Sequence, residues 1–199
     1  MIIDVSYKEL LGFLSSGMGI LSLGLYIKTI FYGTTKPHYF TWLIWSLLMG
    51  IAFAAQMSEN AGPGSWVIGL SAVGCFMIAV LGFFRGEKNI TRSDKIAFAC
   101  GLAAIPLWQI TKNPQWSVIL VTLIDCIGFY PTFRKTWYKP YEEPVSPYVI
   151  SLFTMLVSVF ALQTINLTTA LYPSALVFAN AAFVVMIYAR RSAGVKQHG

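Results

Sequence analysis

Seven apolar stretches, near residues 10–31, 38–57, 64–84, 95–111, 115–134, 145–165 and 168–189, follow one another with only short polar breaks between them. Each approaches or exceeds the ~20 residues that an α-helix needs to cross a hydrocarbon core. In that solvent every backbone N–H and C=O must find its partner inside the protein, so stretches of this kind are committed to spanning helices. Composition agrees. Of 199 residues, 56% are hydrophobic and 11% charged, and the mean hydropathy is +0.65, values outside the range of a water-soluble globule. The sequence therefore predicts an all-α membrane protein with seven transmembrane helices.

The basic residues then orient the spans. Sorted by alternate loops, Lys28, Lys36, Arg85, Lys88, Arg92, Lys95, Arg134, Lys135, Lys139, Arg190, Arg191 and Lys196 fall on one side, and Lys8 and Lys112 on the other. Twelve against two is a strong positive-inside signal, which predicts an outside amino terminus and a cytoplasmic carboxyl tail. The formal charge of +6 is spread over loops, so the lipid bilayer is the expected partner and nucleic acid is not. Asp4 and Glu9 precede a first span too long and too acidic at its start for a cleaved signal peptide, so it is expected to be retained. Cys75, Cys100 and Cys126 all lie in apolar stretches at spacings that suit neither a zinc site nor a disulfide framework. No metal or cofactor is expected.

Residues 26–56 and 133–163 align at an offset of 107 positions, pairing Lys28 with Lys135, Thr29 with Thr136, Pro37 with Pro144, Phe53 with Phe160, Ala54 with Ala161 and Gln56 with Gln163. Each copy runs from the end of one span, through a basic loop, to a proline opening the next. Internal repeats of this kind mark secondary transporters. The offset makes spans one to three one copy and spans five to seven the other. Three spans invert orientation, so span four, interrupted by Pro106, is needed to bring both copies the same way up. The expectation is two parallel triple-helix bundles joined by a linker helix (3+1+3): residues 1–86, the linker 87–113, and residues 114–199.

The segment Gly128-Phe129-Tyr130-Pro131-Thr132-Phe133-Arg134-Lys135-Thr136, followed by a short charged loop and Pro144-Val145-Ser146, resembles the PQ-loop motif of the SWEET and PQ-loop transporter superfamily. That resemblance covers nearly the whole chain and implies the same 3+1+3 plan and outside amino terminus. It also implies gating prolines at the cytoplasmic ends of spans one, two, five and six. Here Pro37, Pro131 and Pro144 fill three of those places and Gly24 stands at the fourth, while Thr132 replaces the motif's glutamine. The stretch from Pro37 to Trp45 is also similar to membrane proteins of bacteria, which implies the bacterial cytoplasmic membrane as location. Proline suits a gate because it removes one helical hydrogen bond and bends the helix, although in a first turn it is an ordinary start signal.

Polar residues inside spans are the candidates for function. Asp125 is the one acid within any span, at the middle of the fifth. A carboxyl there costs at least ~2.5 kcal/mol, so it is expected to face a cavity or a partner, and it is the candidate for proton coupling. Thr122 and Thr132 extend a polar stripe along its helix. A structural Asp held by a neighbouring helix is the alternative. Asn180, at the centre of span seven, can donate and accept, and the resemblance implies a place in the substrate pocket. Its alternative is an interhelical hydrogen bond. Trp45 lies about 12 Å beyond Pro37 at 1.5 Å per residue and could stack on a solute ring, or simply pack. Trp42, Trp66, Trp108, Trp116 and Trp137 fall near span ends, as an aromatic belt would. Gly12, Ser15, Gly19 and Ser22 form a small-residue face on span one, suited to close helix approach.

A retinal pigment would need a lysine deep within the membrane, and no span has one away from its ends. An enzyme would need paired acids, a metal cluster or a nucleophile with its base, and His38 and His198 lie at or beyond membrane edges, so no enzyme is expected. The reading is a transporter of a small polar solute, such as a sugar, amino acid or vitamin-like molecule, working by alternating access. A ligand-binding receptor on the same fold is the alternative, and a homodimer is compatible with either.

Overall fold

The computed structural model describes residues 6–33, 37, 39–86, 102, 106, 110, 113–138, 140–141 and 145–193. They form helices α1 (Tyr7–Phe31), α2 (Tyr39–Ser58), a 3-10 turn (Gly62–Ser65) running into α3 (Trp66–Arg85), α4 (Pro114–Tyr138), α5 (Ser146–Phe160) and α6 (Leu167–Ser192). These follow spans one, two, three, five, six and seven. Span four apart from Leu102, Pro106 and Ile110, together with Pro144 and the side chains of Pro131 and Thr132, lies outside the described residues. Among the described residues there is no strand. Four helices, α1, α2, the turn with α3, and α6, are long and apolar enough to cross a membrane. This is an all-helical membrane protein.

Caps fix where α1 and α6 begin. The Ser6 hydroxyl accepts from Glu9 N–H at 3.3 Å while Glu9 Oε2 accepts from Ser6 N–H at 2.8 Å, a reciprocal pair that satisfies two donors left over at a helix start. Asn166 and Thr169 repeat the arrangement on α6, with both bonds at 3.0 Å. Large apolar side chains such as Phe13, Leu21, Phe76, Phe84, Phe178 and Val185 are exposed. On spanning helices such a surface faces lipid.

The helices pack in a regular pattern. α3 lies against α1 and α2, α6 lies against α4 and α5, and the two groups meet where α1 touches α5 and α2 touches α4. Exchanging α1 with α4, α2 with α5 and α3 with α6 maps these contacts onto themselves. The core at the junction joins Leu48, Ile51 and Ala52 of α2, Val67 and Ile68 of α3, Val118 and Val121 of α4, Met155 of α5, and Tyr172 and Leu176 of α6. The small-residue face of α1 is used for close packing. A Cβ on Gly12 would stand 2.6 Å from Pro63 Cβ, and one on Gly19 would stand 2.9 Å from Val67.

At one end of the molecule, three connections cross between the groups. Gln163 N–H donates to Ala61 O at 2.9 Å, Lys8 Nζ donates to Leu162 O at 2.7 Å, and Asn166 Nδ2 donates to Glu59 Oε2 at 3.1 Å. Gly62, at φ +65°, supplies a left-handed turn there. Gly64 lets the 3-10 turn lie on α5, since a Cβ would come within 2.6 Å of Ser158 O. The other end is basic, with Lys28, Arg85, Arg190 and Arg191 in the last turns of α1, α3 and α6. Arg190 Nε donates to Trp137 O at 2.9 Å and Arg191 Nε to Pro140 O at 3.0 Å, tying the end of α6 to that of α4. Arg190 also lies 4.5 Å from the Trp137 ring centroid. Cations at helix C-termini satisfy leftover carbonyls in this way.

Candidate functional site

Asp125 is the twelfth residue of α4 and Asn180 the fourteenth of α6, so both stand at mid-depth. They converge on one cavity of about 460 Å³ between the two helix groups, a volume in the range of small-molecule sites. Trp45 and Met49 of α2, Ser71 and Cys75 of α3, Phe129 of α4, and Thr154 and Met155 of α5 line it at similar depth, and Gly19, Ser22 and Leu23 do so from α1. Toward the basic end the lining continues through Tyr26, Thr41, Trp42, Pro147, Tyr148 and Ser151. No lining residue comes from the end where Glu59 meets Asn166.

Asp125 is 5% exposed and takes no hydrogen bond from any described residue. Cys75, Cys126 and Tyr172 lie within reach of its charge. Asn180, also buried, donates Nδ2 to Leu176 O of its own helix at 2.7 Å, which leaves its Oδ1 as a free acceptor. Thr154 Oγ1 is buried with no hydrogen-bond partner among the described residues. A buried polar atom without a partner costs stability unless something else satisfies it. Thr154 Oγ1 is such an atom, and together with the Asp125 carboxyl and Asn180 Oδ1 it makes the cavity a site for a solute or water that carries donors.

The structure sorts the residues singled out from the sequence. Asp125, Asn180 and Trp45 come together in the cavity wall. Thr122 is buried but is not in the lining: its hydroxyl donates to Val118 O at 2.6 Å, the back-bond to the preceding turn that threonine makes inside helices. The polar stripe therefore does not extend from Asp125 to Thr122. Gly24 is exposed with nothing near its missing Cβ. Pro37 is buried where α2 begins, its carbonyl against Gly82 and Gly86 of α3. Trp42, taken from its place near a span end as part of an aromatic belt, lines the cavity instead. Trp116 and Trp137 are exposed, as a belt requires.

One polar contact carries no signal of its own in the sequence. Pro173 sits inside α6 and has no N–H, so the carbonyl four residues earlier, Thr169 O, loses its helical partner. Gln56 of α2, fully buried, donates Nε2 to that oxygen at 2.6 Å. An amide from one helix group thus completes the broken helix of the other, between the cavity and the end where Glu59 meets Asn166. A proline inside an apolar run paired with a glutamine deep in another is the signal that could have found it.

The chain matches no family model, no curated protein and no solved structure. Function must be argued from the cavity.

Proposed function

We propose that this protein is a seven-span carrier for a small polar solute, of the SWEET and PQ-loop type, that works by alternating access between two triple-helix bundles. The observation that carries the reading is the cavity at the junction of the two helix groups, whose described lining reaches toward the basic end and includes no residue from the other. Transporters built from repeats hold their substrate at such a junction, near mid-membrane. The self-mapping contact pattern supports the duplication, with Gln56 and Gln163, one matched pair of the repeat, both at the sealed end. The clustering of Lys28, Arg85, Arg190 and Arg191 supports a cytoplasmic basic end. The arrangement then corresponds to an inward-facing conformation. Opening the other side requires release of the bonds from Lys8, Asn166 and the Gln163 amide while the aromatic rim closes.

Asp125, Asn180 and Trp45 hold the solute in this reading, and Asp125 is the group through which a proton gradient couples to movement. Pro37 and Pro131 lie where a bend would move the rim. The test is uptake into liposomes of solutes first selected by thermal shift of the purified protein, since a ligand that binds only the folded form stabilises it. Asn180→Ala and Asp125→Asn should each lower uptake at least about tenfold with the fold retained, a loss of roughly one good polar contact. Binding without uptake would instead favour a receptor on the same fold.

A further inference from the structure

The geometry points to a small organic cation, an ammonium carried on a compact polar or aromatic body, as the solute of this cavity. The inference rests on the reading of the cavity as a substrate site and narrows its chemistry.

The unpartnered groups that face the cavity offer acceptors. Asp125 contributes a carboxyl, Asn180 has its amide nitrogen committed to Leu176 O so that Oδ1 remains, and Thr154 contributes a hydroxyl. No Lys, Arg or His is among the described lining residues. A carboxylate at that depth is stabilised by a positive charge brought beside it, and the described lining supplies none, so a cationic solute is the partner that an ionised Asp125 selects. A neutral polyol would satisfy the same acceptors with hydroxyl donors but would leave the carboxylate's charge uncompensated.

The second observation is the wall itself. Tyr26 lies tilted at 46° against Trp42 with centroids 4.7 Å apart, and Trp42 meets Trp45 edge to face at 5.2 Å. These three rings form a contiguous aromatic cluster in the lining between the basic end and mid-depth. Phe129 and Tyr148 line the cavity from the other helix group, each braced from behind, by Phe133 at 6.3 Å and by Phe183 at 4.2 Å. Rings held in place on both sides of a water-poor site attract a cation through their negative faces. Sugar stacking would need only one such face. A carboxylate with aromatic rings contributed by both groups, and no competing cation among the described lining residues, selects for positive charge.

The experiment compares ligands of matched shape on the full-length protein in detergent. Choline and ethanolamine supply the cation, 3,3-dimethylbutan-1-ol copies choline without its charge, and glucose stands for the polyol. Binding is read by quenching of tryptophan fluorescence and by thermal shift. The expected result is that at least one cation binds at least about tenfold more tightly than the neutral copy and glucose. Asp125→Asn should remove most of that preference, and Trp45→Leu should weaken the cation alone. Equal or tighter binding of the neutral copy or glucose, or no binding of either cation, would overturn the inference. The comparison needs only the wild-type chain, so a variant that fails to fold does not blunt it. Uptake into liposomes separates the two levels: cation binding without uptake rejects the carrier and keeps the ligand class, whereas uptake of glucose alone keeps the carrier and rejects the cation.

Discussion

The two ends of the helix junction are closed by different chemistry. Where Glu59 meets Asn166, the groups are joined by directional hydrogen bonds from Lys8, Gln56, Gln163 and Asn166, several of them to backbone carbonyls. Around the cavity mouth aromatic rings supply much of the contact, such as Trp42 edge to face with Trp45 and Tyr148 tilted against Phe183. A bond to a carbonyl freed by proline is made or lost as a unit, because the oxygen has no other partner in a dry interior. Ring contacts lose little when shifted by an ångström. One end is therefore built to be shut or open and the other to adapt, which is the asymmetry that a carrier caught facing one side requires.

The comparison breaks most readily at Gly64. Gly64→Ala puts a methyl within 2.6 Å of Ser158 O and 2.7 Å of Leu162 N, backbone that cannot rotate away, and should cost about 3 kcal/mol in reversible unfolding from mixed micelles. Gln56→Leu comes next, at about 2 kcal/mol, because Thr169 O is left buried and unpaired. That figure can be sharpened with Pro173→Ala, which restores an N–H to the same carbonyl. In the Pro173→Ala background the Gln56→Leu cost should shrink to half or less, whereas unchanged additivity would show that the amide has another role.

How much of this was legible in the sequence depends on whether a residue's surroundings lie on its own helix. The apolar runs place the starts of spans one and seven at 10 and 168, within a few residues of α1 and α6, whose caps, Ser6 with Glu9 and Asn166 with Thr169, act over three positions. Asp125, Asn180 and Trp45 stood out because polar or amphipathic groups deep in an apolar span have few acceptable places, and the cavity is one of them. Thr122 looked similar but satisfies itself on Val118 O, an outcome that spacing alone does not distinguish from facing a pore. Trp42 was read from its position near a span end, yet a helix face decides its role, and Trp42 and Trp45, three residues apart, share one. The bond from Gln56 to Thr169 links positions 113 apart. Local pattern cannot pair them.

Asn166→Ala removes both the cap on α6 and the donor to Glu59, and should cost about 1 kcal/mol, measured by the same unfolding transition. At the cavity the effects fall away. Ser22 and Ser151 line it at half burial, and their replacement by cysteine should change stability by no more than about 0.5 kcal/mol. A cost above that of Asn166→Ala at either position would mean that the cavity wall is as tightly specified as the sealed end.

Those two cysteines give the most direct test of the central claim, that one cavity opens at the basic end and is shut at the other. Each is placed in a Cys75→Ala, Cys100→Ala, Cys126→Ala background and treated with a membrane-impermeant methanethiosulfonate, in right-side-out and in inverted vesicles. Ala193→Cys, exposed after the last turn of α6, marks which vesicles present the basic end. The account predicts that Ser22→Cys and Ser151→Cys react together with Ala193→Cys, in the same vesicles, at least about tenfold faster than from the opposite side, the ratio expected where a packed seal excludes the reagent. Equal reaction from both faces, or faster reaction from the Glu59 side, would contradict it.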